Sequence, residues 1–74
     1  MKNVVGPNIR AARNRSNRKV SQAELAARLQ AMGVSLDPSA ISRIENGDRS
    51  ISDIEILAIC RALDVPVTTI LTDG

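Results

Sequence analysis

The sequence predicts an all-α fold, five short helices packed as an orthogonal bundle. Three observations carry this expectation. Apolar residues recur at helical spacing in segment after segment. Three helix starts are marked in the chain: Ser21 with Glu24 three residues on, Asp37 followed by Pro38, and Ser52 with Glu55 three residues on. The stops are marked too, by Gly33, Gly47 and the Asp64-Val65-Pro66 break. At 74 residues the chain is one domain with a small core. It holds no aromatic residue, so that core must be built from Ile, Leu, Val and Ala.

Residues 1–5 read as a loose arm, and residues 6–74 as the domain. Gly6 and Pro7 open the first helix, whose buried face holds Ile9, Ala12 and Ser16 while its other face is rich in Arg. It fades into the polar loop Ser16-Asn17-Arg18-Lys19. The second helix opens on a capping box, in which Ser21 caps and Glu24 reaches back. Leu25, Ala26, Leu29 and Met32 follow at helical spacing, and Gly33 ends it. Val34-Ser35-Leu36 is a turn with apolar plugs.

The third helix is the best marked. Asp37 can accept backbone N–H bonds, and Pro38 stands at the first helical position, where its missing N–H costs nothing. Gly47 follows the last helical residue, where a left-handed conformation stops the helix. Ile41 and Ile44 face one way, whereas Ser39, Ser42, Arg43 and Asn46 share the opposite face. A helix this short is not stable alone. It must be held on its Ile face while its polar face stays free, which is what a DNA-reading helix needs. An ordinary amphipathic core helix fits the segment taken alone equally well, so the neighbours decide.

Asp48 to Ile51 is a loop. A second capping box, Ser52 with Glu55, opens a fourth helix that runs to Leu63. Its main apolar stripe is Ile56, Ile59, Cys60 and Leu63; a second stripe holds Ile54, Leu57 and Ala58. Val67 to Leu71 forms a last short helix, and residues 72–74 fray.

The formal net charge is only +2, but it is unevenly spread. Residues 1–19 hold Lys2, Arg10, Arg13, Arg15, Arg18 and Lys19 and no acid, whereas the remainder is acidic on balance. That asymmetry points to a polyanion met by the N-terminal part. Composition excludes much else. With no Tyr or Trp to stack on bases, a single-stranded nucleic-acid platform is disfavoured. With no His and a single Cys, Cys60, neither a metal site nor an internal disulfide is expected. No cofactor or small-molecule site is evident. No Ser–His or Cys–His pair, Gly-rich phosphate loop or carboxylate cluster argues for an enzyme. The lack of a membrane-length apolar run or signal-peptide pattern makes a soluble, cytoplasmic protein the expectation.

Three segments taken in order give a more specific reading: Ser21-Gln22-Ala23-Glu24-Leu25-Ala26, then Ile41-Ser42-Arg43-Ile44-Glu45-Asn46-Gly47, then Leu57-Ala58-Ile59-Cys60-Arg61-Ala62-Leu63-Asp64-Val65. The combination resembles the helix-turn-helix of the lambda-repressor/Cro-like regulators of bacteria and phages, over residues 6–71. There are two departures. The connection between the motif helices, from Leu29 to Pro38, is about five residues longer than the family's tight turn, as if helix two gained a turn and the loop lengthened. The loop before Ser21 is also long.

The resemblance implies roles. Ser39, Ser42 and Arg43 would reach base edges in the major groove, Arg43 as a bidentate donor to guanine, with Gln22 touching a base edge or the backbone. Arg18, Lys19, Ser21, Asn46, Arg49 and Ser50 would meet phosphate. Arg13, or alternatively Arg15, would pair with Glu45 and fix helix three against helix one. Cys60 stands where the family usually has Ala and reads as a small buried hydrophobe.

Small helix-turn-helix proteins read two half-sites, so a homodimer is expected. Ile54, Leu57, Val67, Ile70 and Leu71 are more apolar side chains than one short helix pair can bury, and they are the expected interface. The implied function is a sequence-specific double-stranded DNA-binding regulator, most simply a repressor. The alternative is an antitoxin or accessory protein-interaction module on the same fold.

Overall fold

A computed structural model describes residues 5–15 and 19–71. The five elements are α1 (Val5–Arg15), α2 (Gln22–Ala31), α3 (Pro38–Glu45), α4 (Asp53–Leu63) and α5 (Val67–Leu71). α1 begins one residue earlier than the Gly6-Pro7 pair indicates, so Val5 belongs to the helix and not to an arm. The rest of that arm, the Ser16-Asn17-Arg18 stretch and the C-terminal end lie outside the described residues.

Each helix contributes at least one fully buried aliphatic side chain to a single core: Ile9, Leu25, Leu29, Ile41, Ile44, Ile59 and Ile70. α1 packs on α3, α4 and α5, while α2 packs on α3 and α4. α3, the shortest helix but α5, is therefore held by the two longer helices beside it. The loops close the core: Val20 and Leu36 are buried plugs, and Val34 is half-buried beside them.

The helix ends follow local chemistry. Ser21 accepts a hydrogen bond from the Glu24 backbone N–H, but the reciprocal half of that capping box is not formed. The Glu24 carboxylate instead takes Arg28, one turn on. At α4 both halves are present: Ser52 Oγ accepts the Glu55 N–H and Glu55 Oε1 accepts the Ser52 N–H at 3.0 Å. Asp37 caps α3 by accepting the Ala40 N–H at 2.7 Å. α3 ends in a Schellman motif, in which the Gly47 N–H donates to Ile44 O and the Asp48 N–H to Arg43 O. Gly47 has φ +81°, which a side chain would strain.

Gly6 has a different reason to be glycine. A Cβ there would stand 2.4 Å from the carbonyl oxygen of Ile44 and 2.8 Å from that of Glu45. The first turn of α1 thus lies directly on the last carbonyls of α3. This close approach is what brings the Arg face of α1 to the end of α3.

Two expectations need correcting. Ile70 is 0% exposed, so it cannot belong to a surface for a second copy. One short helix pair was not expected to bury all five of these apolar side chains, but α5 lies against both α1 and α4 and buries Ile70 within the chain. Asn8 Nδ2 fastens this arrangement by donating to Ile70 O at 2.7 Å. Met32, read at helical spacing within helix two, lies past the end of α2 as its C-cap and is 38% exposed. The same helix ends early, at Ala31, so the lengthened connection is six residues of turn and loop before Pro38. Elsewhere Val67 is half-buried, while Ile54, Leu57 and Leu71 are exposed.

Candidate nucleic-acid interface

The site is organised by one buried carboxylate. Glu45 is the last residue of α3, and its side chain is 0% exposed. Arg13 of α1 meets it with a two-pronged grip, Nε on Oε2 at 2.6 Å and Nη2 on Oε1 at 2.8 Å. The remaining Nη1 donates to Val20 O at 2.9 Å. Of the two arginines that could have reached Glu45, Arg13 is the one that does. Two further groups share Oε1: Gln22 Nε2 at 3.1 Å and Arg10 Nε at 3.3 Å. Arg10 also donates through Nη2 to Asn46 Oδ1. No buried side-chain N or O among the described residues lacks a partner.

Burial by itself pushes the Glu45 carboxyl up, but the hydrogen bonds from Arg13, Gln22 and Arg10 and the Arg13 charge outweigh it. The group titrates below the ordinary carboxylate range. Arg13 is correspondingly held more firmly protonated by its hydrogen bond to Glu45. A buried charge held this way is costly to break, because removing one member strands the other.

The network sets four pieces of backbone relative to each other: the middle of α1, the loop at Val20, the first turn of α2 and the last turn of α3. It also orients two amides. Glu45 can only accept, so Gln22 must turn its NH₂ inward. That leaves Gln22 its Oε1 and one N–H for an outside partner, a donor–acceptor pair of the kind that fits the N6/N7 edge of adenine. Arg10 can only donate, so Asn46 must turn its Oδ1 to it. Asn46 then presents N–H groups outward, suited to an acceptor such as a phosphate oxygen.

The outer face of α3 is the reverse of its inner face. Ser39 and Arg43 are exposed and Ser42 is half-buried. None of the three side chains is engaged by another described residue. They lie at i, i+3 and i+4 on one face, with Asn46 one turn on. Lys19 and Ser21 are exposed immediately before α2. The Asp37 carboxylate caps the N-terminus of α3, and its charge disfavours a second anion there; the start of α2 is capped by a neutral serine.

Arg49 is not free. Its Nη1 donates to Ser50 O at 2.9 Å, and its two terminal nitrogens meet the Glu55 carboxylate at 3.3 Å each. It fastens the loop after α3 to the start of α4, while Ser50 itself is exposed. Glu55 is raised by partial burial but lowered further by Arg49 and by the Ser52 N–H. Arg18 lies outside the described residues. The residue the sequence reading missed is Arg10. It stands three positions before Arg13 on the same helix face, and that spacing was the available signal. Cys60 is buried, and burial raises its thiol pKa. No helix is long and apolar enough to cross a membrane, and no cluster of metal-binding side chains is present, among the described residues.

A family model described as helix-turn-helix matches residues 9–70, most of the chain. No curated protein and no solved structure matches.

Proposed function

The chain belongs to the lambda-repressor/Cro-like helix-turn-helix family of DNA-binding regulators, and from that premise we propose that it is a sequence-specific repressor that reads double-stranded DNA as a homodimer. Ser39, Ser42 and Arg43 read base edges from the outer face of α3, and Gln22 adds a contact from the start of α2. Lys19, Ser21, Asn46 and Ser50 hold phosphate around them, and Arg18 joins them from the basic segment before α2. Arg49 takes part in that backbone contact with whatever donor capacity its link to Glu55 leaves. Arg13 and Glu45 carry no DNA contact; they fix α3 against α1. Two half-sites, one per copy, set the spacing of the operator. The site of action is the cytoplasm, where the DNA is.

The observation that carries this reading is the contrast on α3. Every inward polar group is tied, whereas Ser39, Ser42 and Arg43 are left with no internal partner. An arginine and two small hydroxyls on an open helix face form a set that can enter a major groove without steric obstruction.

Selection of bound sequences from random duplex DNA tests it, followed by binding of the selected site over a salt series. A convergent, two-fold related motif is expected, with affinity falling steeply as salt rises, by about 0.9 in the log–log slope per phosphate neutralised. Absence of both enrichment and salt dependence would favour the protein-interaction module instead.

A further inference from the structure

The outward side of α4 does not look like a solvent face. Asp53, Ile54, Leu57 and Arg61 are its exposed residues before the final turn. Ile54 is 72% exposed and Leu57 56%, on a helix whose opposite side is buried in the core. Met32 and Val34, from the turn after α2, line the same shallow groove of about 270 Å³ beside Ile54, Leu57 and Arg61. The apolar patch is therefore continuous across two elements. An exposed patch of this kind marks a contact surface more often than scattered single residues do.

The charges on the stripe say what covers it. Asp53, Leu57 and Arg61 stand at i, i+4 and i+8, an acid and a base placed symmetrically about an apolar centre. Neither charged side chain is engaged by another described residue. They cannot meet each other in one chain, because eight residues of helix separate them by about 12 Å along the axis. Reversed end to end, the same stripe places an acid opposite each base. A surface complementary to its own reversed copy is the signature of an isologous contact.

We propose that this stripe pairs with the same stripe of a second copy of the chain, antiparallel about a two-fold axis through Leu57, with Asp53 of each copy against Arg61 of the other. Ile54, Leu57 and Met32 form the apolar centre. The interface omits α5: Ile70 is in the core, and Val67 and Leu71 are not needed for it. A contact made by one helix stripe and the turn beside it is small, and small contacts are weak, so the free protein is a mixture of monomer and dimer, and a two-half-site DNA raises the dimer fraction through effective concentration. The pairing itself does not depend on the DNA reading and is measured without DNA.

The test is sedimentation equilibrium of the full chain, without DNA, at low salt and across micromolar to millimolar concentration, with thermal melts confirming that every variant is folded. The wild type should self-associate as a dimer. Asp53→Arg and Arg61→Asp should each weaken self-association by about tenfold or more, since each sets like charges opposite one another. Mixed together, the two variants should form a heterodimer about as tight as the wild-type dimer, because one is cationic at both ends of the stripe and the other anionic. Leu57→Glu should abolish association in any mixture. A wild type that stays monomeric at millimolar concentration overturns the proposal. So does a dimer indifferent to Leu57→Glu, or a pair of charge variants that fail to associate when mixed.

Discussion

Arg43 and Glu45 stand two residues apart on α3 and are treated in opposite ways. Glu45 turns inward, has no exposed side-chain surface and is held by donors from α1 and α2. Arg43 turns outward and is held by nothing within the described residues. The difference is a division of labour within a helix of eight residues. A helix too short to stand alone can leave one face unpaired only if the other face is fastened beyond what its two isoleucines supply. The buried carboxylate does that fastening, and its two-pronged arginine partner adds direction that apolar packing lacks.

Breaking the inner side should have the largest effect. Glu45→Ala strands the Arg13 charge in a closed site, and a loss of about 3–5 kcal/mol is expected. For a domain of this size that is a large share of the folding free energy, so a thermal melt should find the midpoint strongly lowered. Replacing both partners with apolar residues, Arg13→Met with Glu45→Leu, should cost much less than Glu45→Ala alone, because no charge is left behind. Equal losses in the two proteins would mean that packing, and not the stranded charge, is the main cost.

Next comes the approach that lets α1 reach α3. Gly6→Ala forces a methyl group against two backbone carbonyls that cannot swing aside. About 1–3 kcal/mol should be lost by overpacking, read as a lower midpoint in a denaturant melt with an unchanged slope. An unaltered midpoint would show that α1 and α3 can separate there at no cost.

Acid titration sharpens the same contrast. The Glu45 carboxyl is depressed in the folded state, so its contribution is fully present above the ordinary carboxylate range near about pH 4.3. It is lost as pH falls below that range through the lowered folded value, because the unfolded chain then takes up the proton first. Stability should therefore decline on the acid side of that point. The charge-free pair variant should show a shallower acid limb, and an identical limb would assign the acid sensitivity to other carboxylates such as Glu55.

The smallest structural effect on the inner side belongs to Arg10. Its side chain is about half exposed, so its bonds to Glu45 and Asn46 are screened by water. Arg10→Ala should cost about 1 kcal/mol or less. It should still be felt in DNA binding, because Asn46 loses the partner that orients its amide. A variant with unchanged stability and unchanged affinity would leave Arg10 with no role in the site.

How much of this was legible in the sequence depended on the range of the interaction concerned. Caps were readable because their partners lie three residues away: Ser52 with Glu55 and Asp37 with the Ala40 N–H are decided within one turn. Even at that range a competitor can win, as Arg28 does by taking the Glu24 carboxylate from the Ser21 box. The family resemblance, with the place four residues after Ile9, pointed to Arg13 as the partner of Glu45 and left Arg15 as the alternative; what decides between them is how α1 is rotated on α3. That rotation rests on the close approach at Gly6, which no local pattern announces. The burial of Ile70 is hidden from local pattern for the same reason. A helix of five residues has too little periodicity to tell a core plug from a surface residue, and only its packing against α1 and α4 settles the matter.

The central claim is that α3 keeps holding and reading on separate faces. Arg43→Ala tests it most directly, with three readouts on one protein: the thermal midpoint, the affinity for a selected duplex and the affinity for a scrambled one. The account predicts a stability change within about 0.5 kcal/mol and a loss of roughly 1–3 kcal/mol on the selected duplex, with relaxed preference at one base position per half-site and a much smaller loss on the scrambled duplex. An equal loss on both duplexes would contradict it, making Arg43 a phosphate anchor and moving base reading to Ser39, Ser42 or Gln22. A large drop in the thermal midpoint would contradict it from the other side, by showing that the outer face also holds the fold.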